Sequence, residues 1–337
     1  MFDSFCAYRL PSSPDIHCLK GGMTEGIRPG FVIAPFDLSA ASIITIDSTS
    51  DAEWDDLTVL LNNDIPEKHT FPIPSKSTTR EEHKTEVETI VSELEGNDHK
   101  KTIATKVIFS KGSIDPENSF NSLSEKLPNA FIFLFYTPVS GAWLGASPEL
   151  LLKSDSAGIS TCALAGTRKA GGIGEWDRKN IMEQQIVRDY IMNIFSRFGL
   201  NPAYTPTVTR NAGKVEHLYT EISASYPEDK KFNIKELICN LSPTPALCGF
   251  PKSESMDRIS RLEKFKRGYY GGFCGIYSSL SDFAFYVNLR SIRFTADSWC
   301  MFAGGGITSQ SDPKEEWEET EQKANGIINN LRFLSQK

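Results

Sequence analysis

The sequence predicts an α+β layered domain. Short β-prone runs are scattered from one end to the other, a few long amphipathic helices interrupt them, and no regular βαβ alternation occurs, which disfavours a doubly wound parallel sheet. At 337 residues the chain can hold about two domains of ~150 residues, or one duplicated unit, around a core that needs no disulfide or structural metal.

Residues 1–75 read as short strands and turns, with Phe31-Val32-Ile33 and Ile43-Ile44-Thr45-Ile46 as strand candidates. A proline-rich connection, Phe71 to Lys76, precedes a helix over 79–94, where Val87, Ile90, Val91 and Leu94 recur at helical spacing and Gly96 is the stop. Strands are predicted at 103–110, 130–136 and 143–152. A long helix over 177–198 ends at Gly199. Further strands are predicted at 268–276 and 283–294. A final helix opens at Asp312-Pro313-Lys314-Glu315, an N-cap, N1 proline and capping-box glutamate in order, and runs to about Leu334.

Composition excludes several classes. Acidic residues number 43 against 36 basic ones, a net charge of −7, which argues against a nucleic-acid partner. No run approaches the ~18–20 apolar residues of a membrane span. The start, Met1-Phe2-Asp3-Ser4, lacks the basic and apolar regions of a secretory signal. The seven cysteines never form a C-x-x-C pair, which suits reduced thiols. A cytoplasmic protein with no membrane partner is therefore expected.

Several residues have the chemistry for a site. Glu183 falls on the same helical stripe as Val187, Tyr190 and Ile194, and a glutamate on a core-facing stripe must be paired, protonated or metal-bound. Glu316, Glu319 and Lys323 share one face of the last helix, either as a solvated ion-paired surface or with the two glutamates as oxygen ligands suited to Mg²⁺. Gly304, Gly305 and Gly306 form either an anion-binding loop or a tight turn. Arg290 lies opposite the apolar face of Phe283, Phe285, Val287 and Leu289, as a carboxylate clamp or an exposed arginine. Lys106 sits inside the apolar strand Ile103 to Phe109, either as a buried base or on a solvent-facing edge. The five histidines are scattered and make no metal or nucleophile motif.

In order along the chain, these segments resemble the motifs of chorismate-using enzymes, the family of anthranilate synthase component I, aminodeoxychorismate synthase, isochorismate synthase and salicylate synthase. They are Thr105-Lys106-Val107-Ile108-Phe109-Ser110, Gly145-Ala146-Ser147-Pro148-Glu149-Leu150, Ala165-Gly166-Thr167-Arg168, Pro243-Thr244-Pro245-Ala246-Leu247, Tyr270-Gly271-Gly272, Arg290, Ala303 to Ile307 and Glu316-Trp317-Glu318-Glu319. The resemblance covers roughly residues 75–335. It implies related β-sheet and helix subdomains around a cleft, with 1–75 as the N-terminal strand-rich part and 76–337 as the catalytic domain, intertwined into one unit.

The resemblance also implies roles. Lys106 would be the base that activates water for attack at C2 of chorismate, and Glu149 the acid that protonates the departing C4 hydroxyl. Glu183 and Glu319 would bind Mg²⁺ directly and Glu316 through water. Arg290, Lys323 and the amides of Gly304, Gly305 and Gly306 would hold substrate carboxylates. Gly166, Thr167 and His217 would contact the ring or its carboxylate side, and Ala246 and Leu247 would also bind substrate. Relatives often have a carboxylate where Asn180 stands, and a histidine where Gln184 stands. Lysine at 106 differs from the glutamine of anthranilate enzymes. Ala165 replaces the nucleophilic lysine of aminodeoxychorismate enzymes. Ala246 replaces the hydroxyl residue of salicylate synthases. Together these favour reversible conversion of chorismate to isochorismate, feeding menaquinone or siderophore synthesis, with no obligatory glutaminase subunit. The alternatives are salicylate synthase, anthranilate synthase component I, and a non-catalytic chorismate-binding protein.

Overall fold

A computed structural model describes residues 2–97, 100–211, 215–226 and 233–334. The strands β1 (Ser4–Arg9), β2 (Ile16–Glu25), β3 (Gly30–Ala34) and β4 (Ile44–Asp51) come first, followed by helices α1 (Trp54–Asn62) and α2 (Arg80–Leu94). Next are β5 (Lys101–Lys111), α3 (Pro116–Lys126), β6 (Phe131–Thr137), β7 (Gly141–Ser147), β8 (Leu150–Asp155) and β9 (Gly158–Lys169). Helix α4 (Arg178–Arg197) leads to β10 (Ala203–Tyr204), β11 (Val208–Asn211), β12 (Val215–Ala224) and α5 (Ile234–Leu241). The remainder is β13 (Gly249–Phe250), α6 (Lys252–Leu262), β14 (Phe273–Ser279), β15 (Asp282–Val287), β16 (Ser291–Phe294), β17 (Ser298–Ile307) and α7 (Pro313–Ile328).

The strands pair antiparallel in one continuous path. Its first half runs β13-β5-β17-β16-β7-β6-β1-β2. Its second half runs β4-β3-β14-β15-β8-β9-β12, where β10 and β11 both lie against β12. The β2–β4 ladder joins the halves. β6 is apolar at almost every position, because a strand covered on both faces needs no polar alternation. Phe133, Phe135, Trp143 and Phe302 from the first half share a core with Phe31, Leu152, Phe273 and Phe285 from the second. A second core under α1, α3 and α7 holds Phe5, Leu57, Phe120 and Ile327. At Gly145 a Cβ would stand 2.5 Å from the Phe133 ring, so glycine lets the aromatic layer close.

The helices start where expected. Asp312 accepts from the amides of Lys314 and Glu315, with Pro313 in the first turn. Asp177 caps α4 by accepting from Asn180. Three expectations change. α7 ends at Ile328, before the predicted Leu334. The stretch 283–294 is two strands parted by Arg290, whose φ of 50° breaks the run. Gly304–Gly306 are not a loop; they continue β17 opposite Thr105, Ala104 and Ile103 of β5.

Candidate functional site

A narrow cleft opens where β5, β17, α4 and α7 meet the ends of β9 and β12. Glu149, Gly166, Thr167, Glu183, His217, Ala246, Leu247, Arg290, Gly304, Gly306 and Lys323 all line it. A roomier groove between residues 72–78, α2 and the end of α6 holds none of the expected site residues.

Glu149 sits just before β8 and is 3 % exposed. Its Oε1 accepts from the Thr244 hydroxyl at 3.3 Å. Burial pushes its pKa up to about 7, while the Thr244 bond and the charges of Lys101, Arg290 and Lys323 pull the other way. At neutral pH this carboxyl is therefore split between acid and carboxylate. Thr244 starts a turn in which its carbonyl accepts from Leu247 and Cys248, and that turn brings Ala246 and Leu247 to the cleft.

Arg290 and His217 form one unit. Arg290 Nη2 donates to His217 Nε2 at 2.9 Å, so the ring proton lies on Nδ1, which faces the Gly166 carbonyl at 3.1 Å and the Thr167 hydroxyl at 3.2 Å. Burial, then Arg290 and Lys323, lower the His217 pKa to about 3 and keep the imidazole neutral. Arg290 is itself lowered to about 10 by burial, yet stays a cation at neutral pH. Its left-handed backbone is strained for an arginine, as is common where a side chain must be aimed at a ligand. Gly166, at φ 75°, lies so close to α4 that a Cβ would stand 2.8 Å from the Asn180 carbonyl. Asn180 uses both ends of its amide: Oδ1 accepts from the Thr167 backbone at 2.7 Å and Nδ2 donates to Asp177 at 2.6 Å. Gln184 is buried and donates to Thr220 at 2.7 Å.

Beyond Glu183 lies a layer of paired charges. Lys101 Nζ donates to Glu183 Oε1 at 2.8 Å, Lys179 Nζ to Glu316 Oε1 at 2.5 Å, and Lys323 Nζ lies 2.7 Å from Glu319 Oε1. Lys323 also donates to the Gly304 carbonyl at 3.1 Å. Burial works against ionised Glu183, yet Lys101, Lys179 and Lys323 hold it below the usual carboxylate range. Glu316 is raised, by burial first and then by Glu319 against the pull of Lys179. Among the described residues no acidic trio is closed around a metal position. The donor set is nevertheless three carboxylates, the hard oxygen ligands Mg²⁺ takes, and the Lys179 ammonium is attracted by Glu316, Glu183 and Glu319 together. Oxygen chemistry and the place of positive charge thus fit a divalent cation.

Two expectations are corrected here by strand alternation. Lys106 does not line the cleft. Its partner across the ladder is Ala303, and its ammonium sits 3.5 Å above the Trp317 ring and pairs with Glu321 of α7. Gly305 likewise faces α7, where a Cβ would stand 2.9 Å from Glu316 Oε2. Lys101, missed from the sequence, lies on the cleft side of β5, where it pairs with Glu183. It is fully buried, shares the Ile103 face of β5, and its charge acts on Glu149. A signal for it exists. The pattern lysine-x-apolar-x-hydroxyl-lysine occurs twice in overlap, at Lys101 to Lys106 and at Lys106 to Lys111. The first two lysines are five positions apart, an odd offset, so one strand cannot aim both at the same cleft.

The fold and this cleft define a chorismate-binding enzyme. The family model described as "Chorismate binding enzyme" matches residues 39–332, and the chain belongs to that family. It is 30% identical over 259 residues to isochorismate synthase MenF of Bacillus subtilis (strain 168), covering 73% of this chain and 54% of the relative. The chain thus spans about half the length of the curated relatives it matches. Its fold matches a putative 2,3-dihydroxybenzoate-specific isochorismate synthase, DhbC, from Bacillus anthracis with TM-score 0.80 at 19% identity, over 97% of this chain and 96% of that one. MenF of Escherichia coli matches with TM-score 0.77 at 20% identity, over 98% and 89%.

Proposed function

We propose that this chain is an isochorismate synthase, converting chorismate reversibly to isochorismate. The observation that carries the reading is a cleft in which one carboxyl, Glu149, is poised near pH 7 among Lys101, Arg290 and Lys323. Such a group can both donate and accept a proton at neutral pH. The substrate is a dianion, and Arg290, Lys323 and the Gly304 backbone would hold its carboxylates. Lys101 replaces Lys106 as base. Lys101 is held as an ammonium by Glu183, so it would first give up its own proton to solvent. The neutral Nζ would then take a proton from water as the water oxygen bonds C2, the ring double bonds shift, and the C4 hydroxyl leaves with a proton from Glu149. One water enters and one departs, so the product is an isomer.

Ala165 and Ala246 line the cleft and support this product over its relatives. There is no amine at 165 to attack the ring, and no hydroxyl at 246 of the kind salicylate synthases carry. Glu183 and Glu319 would hold Mg²⁺, with Glu316 through water. When bound, the ion would neutralise and orient a substrate carboxylate. The same reading assigns residues 1–75 to scaffold and 76–337 to chemistry, since every cleft residue follows Lys101. It assigns the protein to the cytoplasm, a reading compatible with free thiols and with no helix long and apolar enough to cross a membrane among the described residues. The isochorismate would supply menaquinone or siderophore synthesis, as the names of the relatives suggest, with no glutaminase subunit required.

The test is chorismate plus Mg²⁺ with chromatographic separation of products, with and without ammonium. Isochorismate alone is expected. Salicylate with pyruvate, or ammonium-dependent anthranilate, would replace this reading with one of its alternatives. Unchanged chorismate would leave a binding protein.

A further inference from the structure

We propose that Lys179 is a built-in counter-cation of the acidic layer, which a divalent ion must displace from Glu316, so that this side chain sets the metal affinity. The inference rests on the metal assignment made above. Each of the three carboxylates is paired with one lysine, but the lysines are not equivalent. Lys101 is fully buried on β5. Lys323 lines the cleft and is tied to the Gly304 carbonyl. Lys179 does neither.

Lys179 lies in the first turn of α4, four residues before Glu183. An ordinary helix-surface pair would join those two. Its ammonium instead leaves its own helix and reaches Glu316 of α7 at 2.5 Å. Glu316 is 2 % exposed, and its remaining bond is from the Ser311 hydroxyl at 2.7 Å. Such a carboxylate cannot stay ionised without a cation. Lys179 supplies that charge, and Glu183 and Glu319 add to the attraction.

There is also a way out. Lys179 lines a small opening with Arg178, Met182, Glu183, Ser309 and Gln310; of these only Glu183 also lines the substrate cleft. Its side chain is 25% exposed, against 0% for Lys101. A flexible four-carbon stem beside solvent can withdraw and be rehydrated, which a fully buried lysine cannot do cheaply. Mg²⁺ and the ammonium would then compete for one carboxylate. A competing ligand lowers apparent affinity by the strength of its own hold, and removing it restores that affinity.

The experiment is calorimetric titration of the full chain with MgCl₂ alone, with no substrate present. Lys179→Gln should bind Mg²⁺ more tightly, on the order of tenfold, the usual size of coupling between ligands of one protein. Lys179→Arg should bind it more weakly, because a guanidinium can grip the Glu316 carboxylate through two bonds; this arm reads the proposal even if the glutamine variant does not fold. Equal or weaker binding in Lys179→Gln, or tighter binding in Lys179→Arg, overturns it. Absence of binding in all three proteins overturns both this proposal and the metal assignment. Mg²⁺ binding that tightens in a chain making no isochorismate would leave the counter-cation standing and remove only the product reading.

Discussion

Glu149 shows how a single side chain can couple activity to pH. Its pKa moves from 4.5 to about 7 because burial disfavours the charge. Between those values the folded chain keeps a proton that the unfolded chain has lost, so stability falls as pH rises across that window. The effect is on the order of 3 kcal/mol, taking about 1.4 kcal/mol per pH unit. Glu149→Gln should flatten the denaturation midpoint between pH 5 and 7, because it removes the titrating group and keeps the shape. In the forward reaction the acid form is the working one, so kcat should fall above about pH 7, and the glutamine variant should lose at least ~100-fold. A variant with near-wild-type turnover would show that Glu149 is not the acid. Asn180 is a second residue-scale case. Its amide donates to Asp177 and accepts from the Thr167 backbone. Asn180→Asp would set two carboxylates together and loosen the Gly166–Thr167 turn, raising KM for chorismate more than it lowers kcat.

At the scale of elements, β5 and β17 decide which groups meet. Alternation along β5 sends Lys101 toward Glu183 and Lys106 toward Trp317 and Glu321. Lys101→Ala should therefore abolish turnover and leave the fold cooperative. Lys106→Arg should keep most activity, since arginine can also stack on Trp317 and pair with Glu321. Lys106→Met should lower the melting temperature, because it leaves α7 without its clamp to β5. Loss of turnover in Lys106→Arg with a normal melting temperature would restore the lysine that the motif first suggested. On β17, a Cβ at Gly306 would stand 2.5 Å from Glu183 Oε1 and 3.4 Å from Lys101 Nζ. Gly306→Ala should push Glu183 aside and weaken Mg²⁺ binding, readable in the same titration; unchanged affinity would remove Glu183 from the ligand set. These faces explain what the sequence concealed. Spacing identifies which residues share a face, and so Glu183 and Lys323 were legible. It does not say which face meets the cleft, and so Lys106 and Gly305 were misplaced and Lys101 overlooked.

Across the whole molecule, the α+β class was legible because antiparallel strands and long helices leave different periods in the chain. The path of the sheet was not, since it depends on pairings between distant strands, such as β1 with β6 and β3 with β14. Those pairings bear on whether residues 76–337 can stand alone. β1 and β2 extend the first half of the sheet, β4 and β3 begin the second, and the β2–β4 ladder is the join. Tyr8, Phe31, Val32, Ile33 and Ile46 belong to the same core as Trp143, Phe285 and Phe302. Removing residues 1–75 would leave β6 and β14 each with an unpaired edge and expose that aromatic layer to water, at about 25 cal/mol for each Å² uncovered. A chain beginning at residue 76 should therefore aggregate or unfold without a cooperative transition, although it retains every residue that lines the cleft. A soluble truncated chain with a sharp thermal transition and Mg²⁺-dependent turnover would show instead that the N-terminal strands are an appendage, and that the catalytic half closes its own core.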